Sequence, residues 1–427
     1  MIKFFLIIVT ICFLAISMAL VSFAGTANEY NEAGIRYMKS HAYEDAVDAF
    51  EEAYRKAPDN ETIKRNLTHA YAALGNNYAE RGVWNEAIRF VEKALELDNT
   101  NHVLKQNLSV LYNNYAYEQM KNGMPDNAYA NLKEALRYDE SNWAAYVSLG
   151  RIMYDQGEIK EAVKYWTEAV SLNPELTTIK QQLDRLKKES SVEDKFREKN
   201  YMYFEVKYEG YEREDLALKV VEILHEAYIK IGYDFRYYSF QKIPVIIYTK
   251  EQFQTMTGTP DWIEGLFDGI IRVTASTIEG EDDRLRNILY HEYTHALLYK
   301  KIGNNLPHWL NEGLAQYEEP VRNDIQRDDI TFLNRYLSQG NLIALSDLDK
   351  VLKHRENKEQ LRLAYLEAKL LVQYINELYY FYRIVSILDG LASGKDIDTV
   401  LQETIFVNTE RLKKNWLEWL NSKYKSK

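Results

Sequence analysis

The residues best suited to chemistry form an H-E-x-x-H run at His291-Glu292-Tyr293-Thr294-His295. On a helix, residues i and i+4 lie on one face, so His291 and His295 can bind the same metal ion. Imidazole nitrogens are typical ligands of Zn²⁺. Glu292 points part-way round the helix, so it misses the metal but can reach a water bound to it. The run therefore predicts a zinc site in which Glu292 acts as a general base.

Two predicted helices would position these groups. Acidic residues at 281–283 suit the positive end of a helix dipole and mark the start of the first helix. Residues 303–305 end that helix, and Pro307 opens a second one that carries Glu312 and ends at Pro320. Helices joined by a short turn often pack antiparallel, which would bring Glu312 beside the two histidines. Two histidines and one carboxylate leave the fourth position of a tetrahedral zinc open for water, as in catalytic sites.

A further pattern, P-x-W-L-x-E-G-x-A-x-Y at residues 307–317, follows the H-E-x-x-H run. Together the two motifs resemble the gluzincin zinc metallopeptidases, in particular the peptidase-MA-like bacterial group, and the resemblance extends over about residues 199–427. It implies one Zn²⁺ per chain, held by the two histidines and Glu312, with Glu292 as the base and a protein or peptide as the substrate. No G-x-M-E-N-type segment, which gluzincin aminopeptidases use to hold a free amino terminus, is present. Its absence favours an endopeptidase.

Other side chains are candidates for supporting roles around the zinc. The mechanism needs a donor that stabilises the tetrahedral oxyanion, and Tyr317 and Tyr365 are candidates among the 34 tyrosines of the chain. Thr294 and Asn311 are candidates for hydrogen bonds that orient the ligands. His308 lies one helical turn before Glu312, so it either lines the cleft or is a solvated first-turn residue.

The resemblance also implies a strand at the upper rim of the cleft, to which an extended substrate adds through backbone hydrogen bonds. We place this strand at residues 269–276, with Gly269, Ile270 and Ile271 as substrate-binding residues. The alternative is that the segment is an ordinary internal strand of the sheet.

Residues 27–176 contain a repeated pattern of aromatic and small residues that resembles tetratricopeptide arrays. Four units are predicted, at about 27–60, 68–101, 109–142 and 143–176. Such arrays stack helix pairs into a curved solenoid with a concave groove, which implies a protein partner bound in the groove.

The spacing of the repeats is uneven. The landmark alanines Ala46, Ala87, Ala128 and Ala162 are 41, 41 and 34 residues apart. The ideal period is about 34 residues, and the two excesses of about seven correspond to about two turns of helix. Lengthened helices, rather than broken repeats, are therefore predicted in the first half.

The predicted fold is mostly α with an α+β part. A tetratricopeptide α-solenoid is followed by a capping helix or linker at 177–198 and a gluzincin-type α+β domain at 199–427. In that domain a small sheet precedes the zinc helix, and residues 329–427 form a helical carboxyl-terminal subdomain. The predicted strands lie at 201–208, 243–248 and 269–274. A capping box at Thr249-Lys250-Glu251-Gln252 opens a helix after the second strand.

The amino terminus predicts export. Residues 4–24 are uncharged and strongly apolar, and small residues at Ser22 and Ala24 suit a cleavage site. The apolar run is also long enough to span a bilayer, so residues 1–24 are either a signal peptide or a signal anchor that tethers the protein to the membrane. In both cases the remainder is extracytoplasmic, in the periplasm, secreted or membrane-anchored. Cys12, the only cysteine, lies in this segment, so the zinc ligands must be histidines and carboxylates.

Composition limits the classes of function. The 427 residues suffice for two or three domains, and the net charge is 53 − 64 = −11. The chain shows no cationic face, so no nucleic-acid partner is expected. The leading interpretation is an exported zinc metallopeptidase whose repeats recruit a protein. The alternative is a catalytically inactive scaffold of the same fold that only binds proteins, and a third interpretation is a zinc hydrolase acting on a non-peptide amide.

Overall fold

The computed structural model describes residues 25–190, 196–209, 214–259, 263–320, 326–354 and 357–424. Backbone contacts divide the chain into two units, of which the first comprises Met1–Leu149 with Ser171–Pro174. The second comprises Gly150–Val170 with Glu175–Lys427. The predicted signal peptide or anchor at 1–24 lies outside the described residues. Within the described ranges, every helix is too short or too polar to cross a membrane.

Pairs of antiparallel helices make up the first unit. The helices are α1 (Ala27–Lys39), α2 (Tyr43–Lys56), α3 (Glu61–Glu80), α4 (Trp84–Leu97), α5 (His102–Lys121) and α6 (Pro125–Tyr138), followed by the start of α7 (Trp143–Asp155). Helices α3 and α5 have 20 residues, whereas α1 and α7 have 13. The longer repeat period therefore comes from a longer first helix in two of the repeats. These two helices begin at Glu61 and His102, whereas the predicted repeats start later, at 68 and 109.

Small residues let the two helices of a pair approach closely. The landmark alanines Ala46, Ala87 and Ala128 are completely buried. Gly34 of α1 lies so close to α2 that an added Cβ would come within 2.7 Å of the Phe50 ring. Real Cβ atoms do not approach a ring this closely, so a side chain at residue 34 would displace Phe50 or separate the two helices. The ring of Tyr71 packs near the ring of Phe90, with centroids 6.1 Å apart.

The second unit begins with the end of α7 and continues through α8 (Ile159–Leu172) and α9 (Thr177–Ser190). The elements that follow up to the cleft are β1 (Phe196–Asn200), β2 (Phe204–Glu209), α10 (Glu214–Phe235), β3 (Ile243–Tyr248), α11 (Lys250–Thr257), β4 (Gly265–Phe267), β5 (Ile271–Thr274), α12 (Ala275–Ile278), α13 (Asp282–Ile302), a 3₁₀ turn (Gly303–Asn305) and α14 (His308–Glu318). The carboxyl-terminal helices are α15 (Arg327–Gln339), α16 (Leu345–His354), α17 (Lys358–Tyr379), α18 (Phe381–Ala392), α19 (Ile397–Ile405) and α20 (Thr409–Tyr424).

The sheet has the order β1-β2-β3-β5-β4. Its middle pairs are parallel, and the outer pairs β1-β2 and β4-β5 are antiparallel. Strand β1 begins inside the predicted linker at 177–198 and ends two residues beyond it. The sequence did not predict it, because F-R-E-K-N is polar and an outer strand does not need an alternating apolar face. The segment 201–208 is therefore not a single strand but the turn and second arm of a hairpin.

The predicted rim strand at 269–276 is wrong. Strand β5 pairs with β3 on one side and with β4 on the other, so it has no open edge for a substrate. Gly269, with φ of 118°, turns the chain so that β4 lies antiparallel to β5 and covers it. This backbone conformation is rare for residues with a side chain, which explains the glycine. The alternative interpretation, an ordinary internal strand, is confirmed for Ile271–Thr274, and the next helix begins at Ala275.

Both faces of the sheet are covered, as expected for parallel strands. Val245 and Ile247 of β3 belong to a core shared with α10 and α13. Ile246 and Tyr248 point to the opposite face and pack in a second core. That core is completed by α11, α9 and residues of α7 and α8 within the second unit, including Tyr154 and Trp166. Residues 150–170 of the last repeat therefore help to build the sheet domain.

Candidate metal centre

Two helices bring three metal-binding side chains together. His291 and His295 lie one turn apart on α13, with ring centroids 4.7 Å apart and ring planes at 87°. Glu312 enters from α14, and its Oε2 atom is 3.4 Å from His291 Nε2 and 3.5 Å from His295 Nε2. One donor atom from each residue lies within 4.8 Å of the others.

The three donors fit a zinc ion. With bonds of about 2.0–2.1 Å, a tetrahedral zinc separates its ligand atoms by about 3.3–3.4 Å. The two separations between a histidine and the carboxylate, 3.4 and 3.5 Å, are close to this value. Two neutral imidazoles and one carboxylate are also the donor set that zinc prefers when one position stays open for water.

Local sequence explains how the helices reach this arrangement. Asp282 and Asp283 occupy the first turn of α13, and Gly303, with φ of 69°, ends it. Pro307 is the N-cap residue of α14. Gly313 lies against α17 so closely that a Cβ would meet the Ala368 carbonyl oxygen at 2.5 Å. The glycine after Glu312 thus allows α14 to pack with its carboxylate directed inward.

A second set of acceptors orients both imidazoles. His291 Nδ1 donates to Glu319 Oε1 at 3.0 Å, and His295 Nδ1 donates to Asn311 Oδ1 at 2.9 Å. These bonds leave each Nε2 for the metal, because only one ring nitrogen of a neutral imidazole carries a proton. Thr294 does not share this role, since its hydroxyl donates to the Tyr290 carbonyl in the same helix.

Glu319 was not predicted from the sequence. It follows the last residue of α14 and precedes Pro320, a position that in the sequence suggests only the end of a helix. Only 9% of its surface is exposed, which is unusual for a glutamate. The nearest available signal was its position before the proline that ends the ligand-bearing helix.

Charges favour a cation at this point. Burial would lower the pKa of His291, but hydrogen bonds with Glu312 and Glu319 raise it well above its usual value. Burial would raise the pKa of Glu312, but the charge of His295 and the hydrogen bonds of both imidazoles hold it well below its usual range. A divalent cation binding here therefore releases a proton and takes the place of the imidazolium charge.

The substitution Glu319→Ala is expected to weaken zinc binding by roughly 10–100-fold, since outer-shell acceptors typically have effects of this size. Glu319→Gln should recover part of the affinity, because its amide oxygen can still accept from His291 Nδ1. Competition titration against a chromophoric chelator measures the affinity, with Glu410→Ala, at an exposed position of α20, as a matched control. Unchanged affinity in Glu319→Ala would show that this contact does not support the metal site.

Glu292 lies beside the ligands with only 7% of its surface exposed. Strand β4 approaches it closely at Gly265, where an added Cβ would lie 3.0 Å from Glu292 Oε1 and 2.4 Å from Ile288 Cγ2. A side chain at residue 265 would displace Ile288, Glu292 or the strand itself, so glycine suits this close approach. The carboxylate therefore lies between helix α13 and strand β4.

A cleft of about 570 Å³ opens onto these groups. Among the predicted residues, Glu292, both histidines and Glu312 line it, as do Gly269, His308 and Tyr365. Ile270 and Ile271 are completely buried in the cores on either side of the sheet and do not line it. Residues 265–267 of β4 form part of its wall instead.

Tyr317 is wrong as a candidate for oxyanion stabilisation. Its hydroxyl accepts a hydrogen bond from Asn376 Nδ2 at 2.9 Å, and its ring stacks on Phe381 with centroids 5.8 Å apart. Tyr317 is on α14 but five residues after Glu312, which turns it to the opposite side of the helix. Of the two tyrosines proposed from the sequence, only Tyr365 reaches the cleft.

Comparison with known families agrees with this arrangement. Residues 225–422 match the Peptidase MA superfamily, and residues 119–175 match the tetratricopeptide repeat. The chain therefore carries a Peptidase MA superfamily domain preceded by a tetratricopeptide repeat, which confirms the domain order predicted from the sequence. No curated protein matches the chain.

Proposed function

We propose that the protein is a zinc-dependent endopeptidase. The proposal rests on one observation: His291, His295 and Glu312 place their donor atoms at distances suited to a single zinc, with Glu292 enclosed beside them. The Peptidase MA superfamily domain supports a peptidase-type hydrolase. The open side of the three donors faces a cleft large enough for a peptide.

Each residue then has a defined task. Zn²⁺, when bound, lowers the pKa of a coordinated water and polarises the scissile carbonyl. Glu292 accepts a proton from the attacking water and delivers it to the leaving amine. Glu319 and Asn311 hold the two imidazoles in the required tautomer. Tyr365, which lines the cleft, is the remaining candidate for a donor to the developing oxyanion.

The substrate is expected to add as a strand to β4 rather than to β5. One edge of β4 pairs with β5 in the register Gly265↔Val273, Leu266↔Arg272 and Phe267↔Ile271. Among the described residues, no strand pairs with its other edge. A backbone with free N–H and C=O groups beside the metal ligands suits an extended peptide. Pairing at Gly265 would bring the scissile bond next to Glu292, because the two are neighbours.

The remaining parts of the chain suggest where the enzyme works and how it finds substrates. The apolar residues 4–24 support export, with the bulk of the chain outside the cytoplasm and residues 4–24 either cleaved off or kept as a membrane tether. The helix pairs of the first unit support recruitment of a protein partner. Deleting 27–149 should then reduce cutting of the native target more than cutting of a short generic peptide.

An inactive scaffold of the same fold is the competing proposal. It has no need for a general base, yet a carboxylate occupies that position at Glu292. The test is to purify residues 25–427, measure zinc per chain by elemental analysis and assay an unstructured protein with and without a chelator. We expect about one zinc per chain and cutting that stops with chelator and returns with zinc. Folded protein that binds zinc and cuts nothing would favour the scaffold.

A further inference from the structure

The lining of the cleft continues one helical turn beyond the metal ligands. His291, His295 and Tyr299 occupy positions i, i+4 and i+8 of α13, so they share one face of the helix. All three line the cleft. The ring of Phe267, at the end of β4, lies 5.8 Å from the ring of Tyr299. An extended peptide on β4 would therefore pass from Glu292 toward Tyr299.

A cation from the last helical repeat lies at this end of the cleft. Arg151, on the part of α7 that belongs to the second unit, lines the cleft together with Tyr299. Its Nη2 atom donates to Tyr299 Oη at 2.5 Å, and its guanidinium lies 5.3 Å from the Tyr299 ring centroid. Its Nε atom is 3.0 Å from Asp155 Oδ1. The guanidinium is thus held from two directions.

Arg151 remains charged and accessible. Burial would lower its pKa, but Asp155 and Tyr299 raise it above the usual value. Its side chain is 30% exposed, against 17% for Asp155, which does not line the cleft. The bonds that Arg151 makes to described residues use Nε and Nη2, which leaves the N–H donors of Nη1 for a ligand.

Apart from Asp155, a second acidic residue at this end of the cleft is already paired with arginines. Asp268 lines the cleft, but its carboxylate accepts from Arg272 and lies 3.4 Å from Arg185. Arg272 is itself only 2% exposed and also binds Glu189 of α9. This end of the cleft therefore presents a fixed guanidinium without a competing free carboxylate at Asp268, an environment that suits an anionic ligand.

We propose that Arg151 binds a carboxylate on the peptide substrate, so that the enzyme prefers an acidic side chain near the scissile bond. The inference rests on the proposed function and adds its substrate class. Strand β4 advances two residues from Gly265, beside Glu292, to Phe267, beside Tyr299. At about 3.4 Å per residue this is about 7 Å, so the acidic residue lies about two positions from the scissile bond. The family match begins at residue 225, so this specificity residue comes from the repeat region.

The test uses the full chain and pairs of peptides. The two members of a pair differ only in having Glu or Gln at one position near the cleavage site. For the best pair, the parent should show a ratio of kcat/KM for the Glu peptide to kcat/KM for the Gln peptide of at least about 10, since a hydrogen bond to a charged group has effects of this order. Arg151→Gln should reduce this ratio to about 1, mainly through KM. Arg151→Lys should keep part of it, and Arg151→Glu should favour a Lys peptide. Lys353→Gln, which removes another cation of the cleft lining, is the matched control and should keep the parent ratio.

Binding gives a second measurement that does not depend on turnover. On a Glu292→Gln background, fluorescence anisotropy should show tighter binding of the Glu peptide, and adding Arg151→Gln should abolish the difference. The proposal is wrong if the parent shows no preference for the Glu peptide. It is also wrong if Arg151→Gln weakens the binding of both peptides by the same factor, because the contacts of Arg151 would then be structural only. Preferential binding without any cutting by the parent would instead contradict the proposed peptidase activity alone.

Discussion

Glu292→Gln is expected to lose turnover while the protein keeps its zinc. Glutamine has nearly the same shape as glutamate but cannot accept the proton of the attacking water. General acid–base groups contribute roughly 10²–10⁴-fold to rate, so kcat should fall by at least about 100-fold. Zinc should remain, because the three donor atoms that fit the ion come from His291, His295 and Glu312. Peptide cleavage and elemental analysis on the same preparation measure both effects.

A matched control is Glu279→Gln, which makes the same change at an exposed residue shortly before helix α13. It should cut like the parent. If Glu292→Gln also cut as fast as the parent, the assignment of Glu292 as the base would be wrong, although the metal site could still stand. If Glu292→Gln instead lost its zinc, Glu292 would have to be a ligand or an essential support of one.

Glu312→Ala is expected to lose both zinc and turnover. The change removes the only carboxylate among the three donors and leaves two imidazoles, which bind zinc much more weakly. The loss of affinity should exceed the roughly 100-fold upper range for outer-shell residues. Competition titration measures the affinity, and thermal unfolding with and without zinc gives an independent measurement. Added zinc should raise the Tm of the parent but not that of Glu312→Ala.

Gln316→Ala is the control for this experiment, since it removes a half-buried side chain from the same helix without removing a donor. It should bind zinc like the parent and show the same rise in Tm. Retained zinc in Glu312→Ala would mean that another residue completes the site, and the proposed ligand set would be wrong.

Local patterns predicted much of the fold. The i, i+4 spacing of His291 and His295 depends only on helix geometry, and the turn at 303–305 is short enough to return the next helix beside them. The predicted capping box is confirmed, with the Thr249 hydroxyl accepting from Gln252 N and the Gln252 side chain accepting from Thr249 N. The uneven repeat period is explained by two longer helices. Each of these features involves residues close in sequence.

Features that depend on distant parts of the chain were missed or wrong. Tyr317 and Tyr365 looked equivalent in sequence, but helix packing directs the first to Asn376 and the second to the cleft. The outer strand beside the cleft is β4, whose three residues G-L-F carry too little periodicity to predict a strand. Pairing with the neighbouring strand β5, rather than the propensity of its own residues, stabilises a strand this short.

From the sequence alone we could predict the proposed donor set, the candidate base and the order of the two kinds of domain, because motif spacing along one or two helices carries that information. Long-range packing was needed to show that Glu319 contacts His291, that β4 walls the cleft and that Arg151 lines it from a repeat 140 positions before His291 (291 − 151 = 140). Such contacts depend on which helix faces pack together, and packing is set by the whole core rather than by any local run of residues.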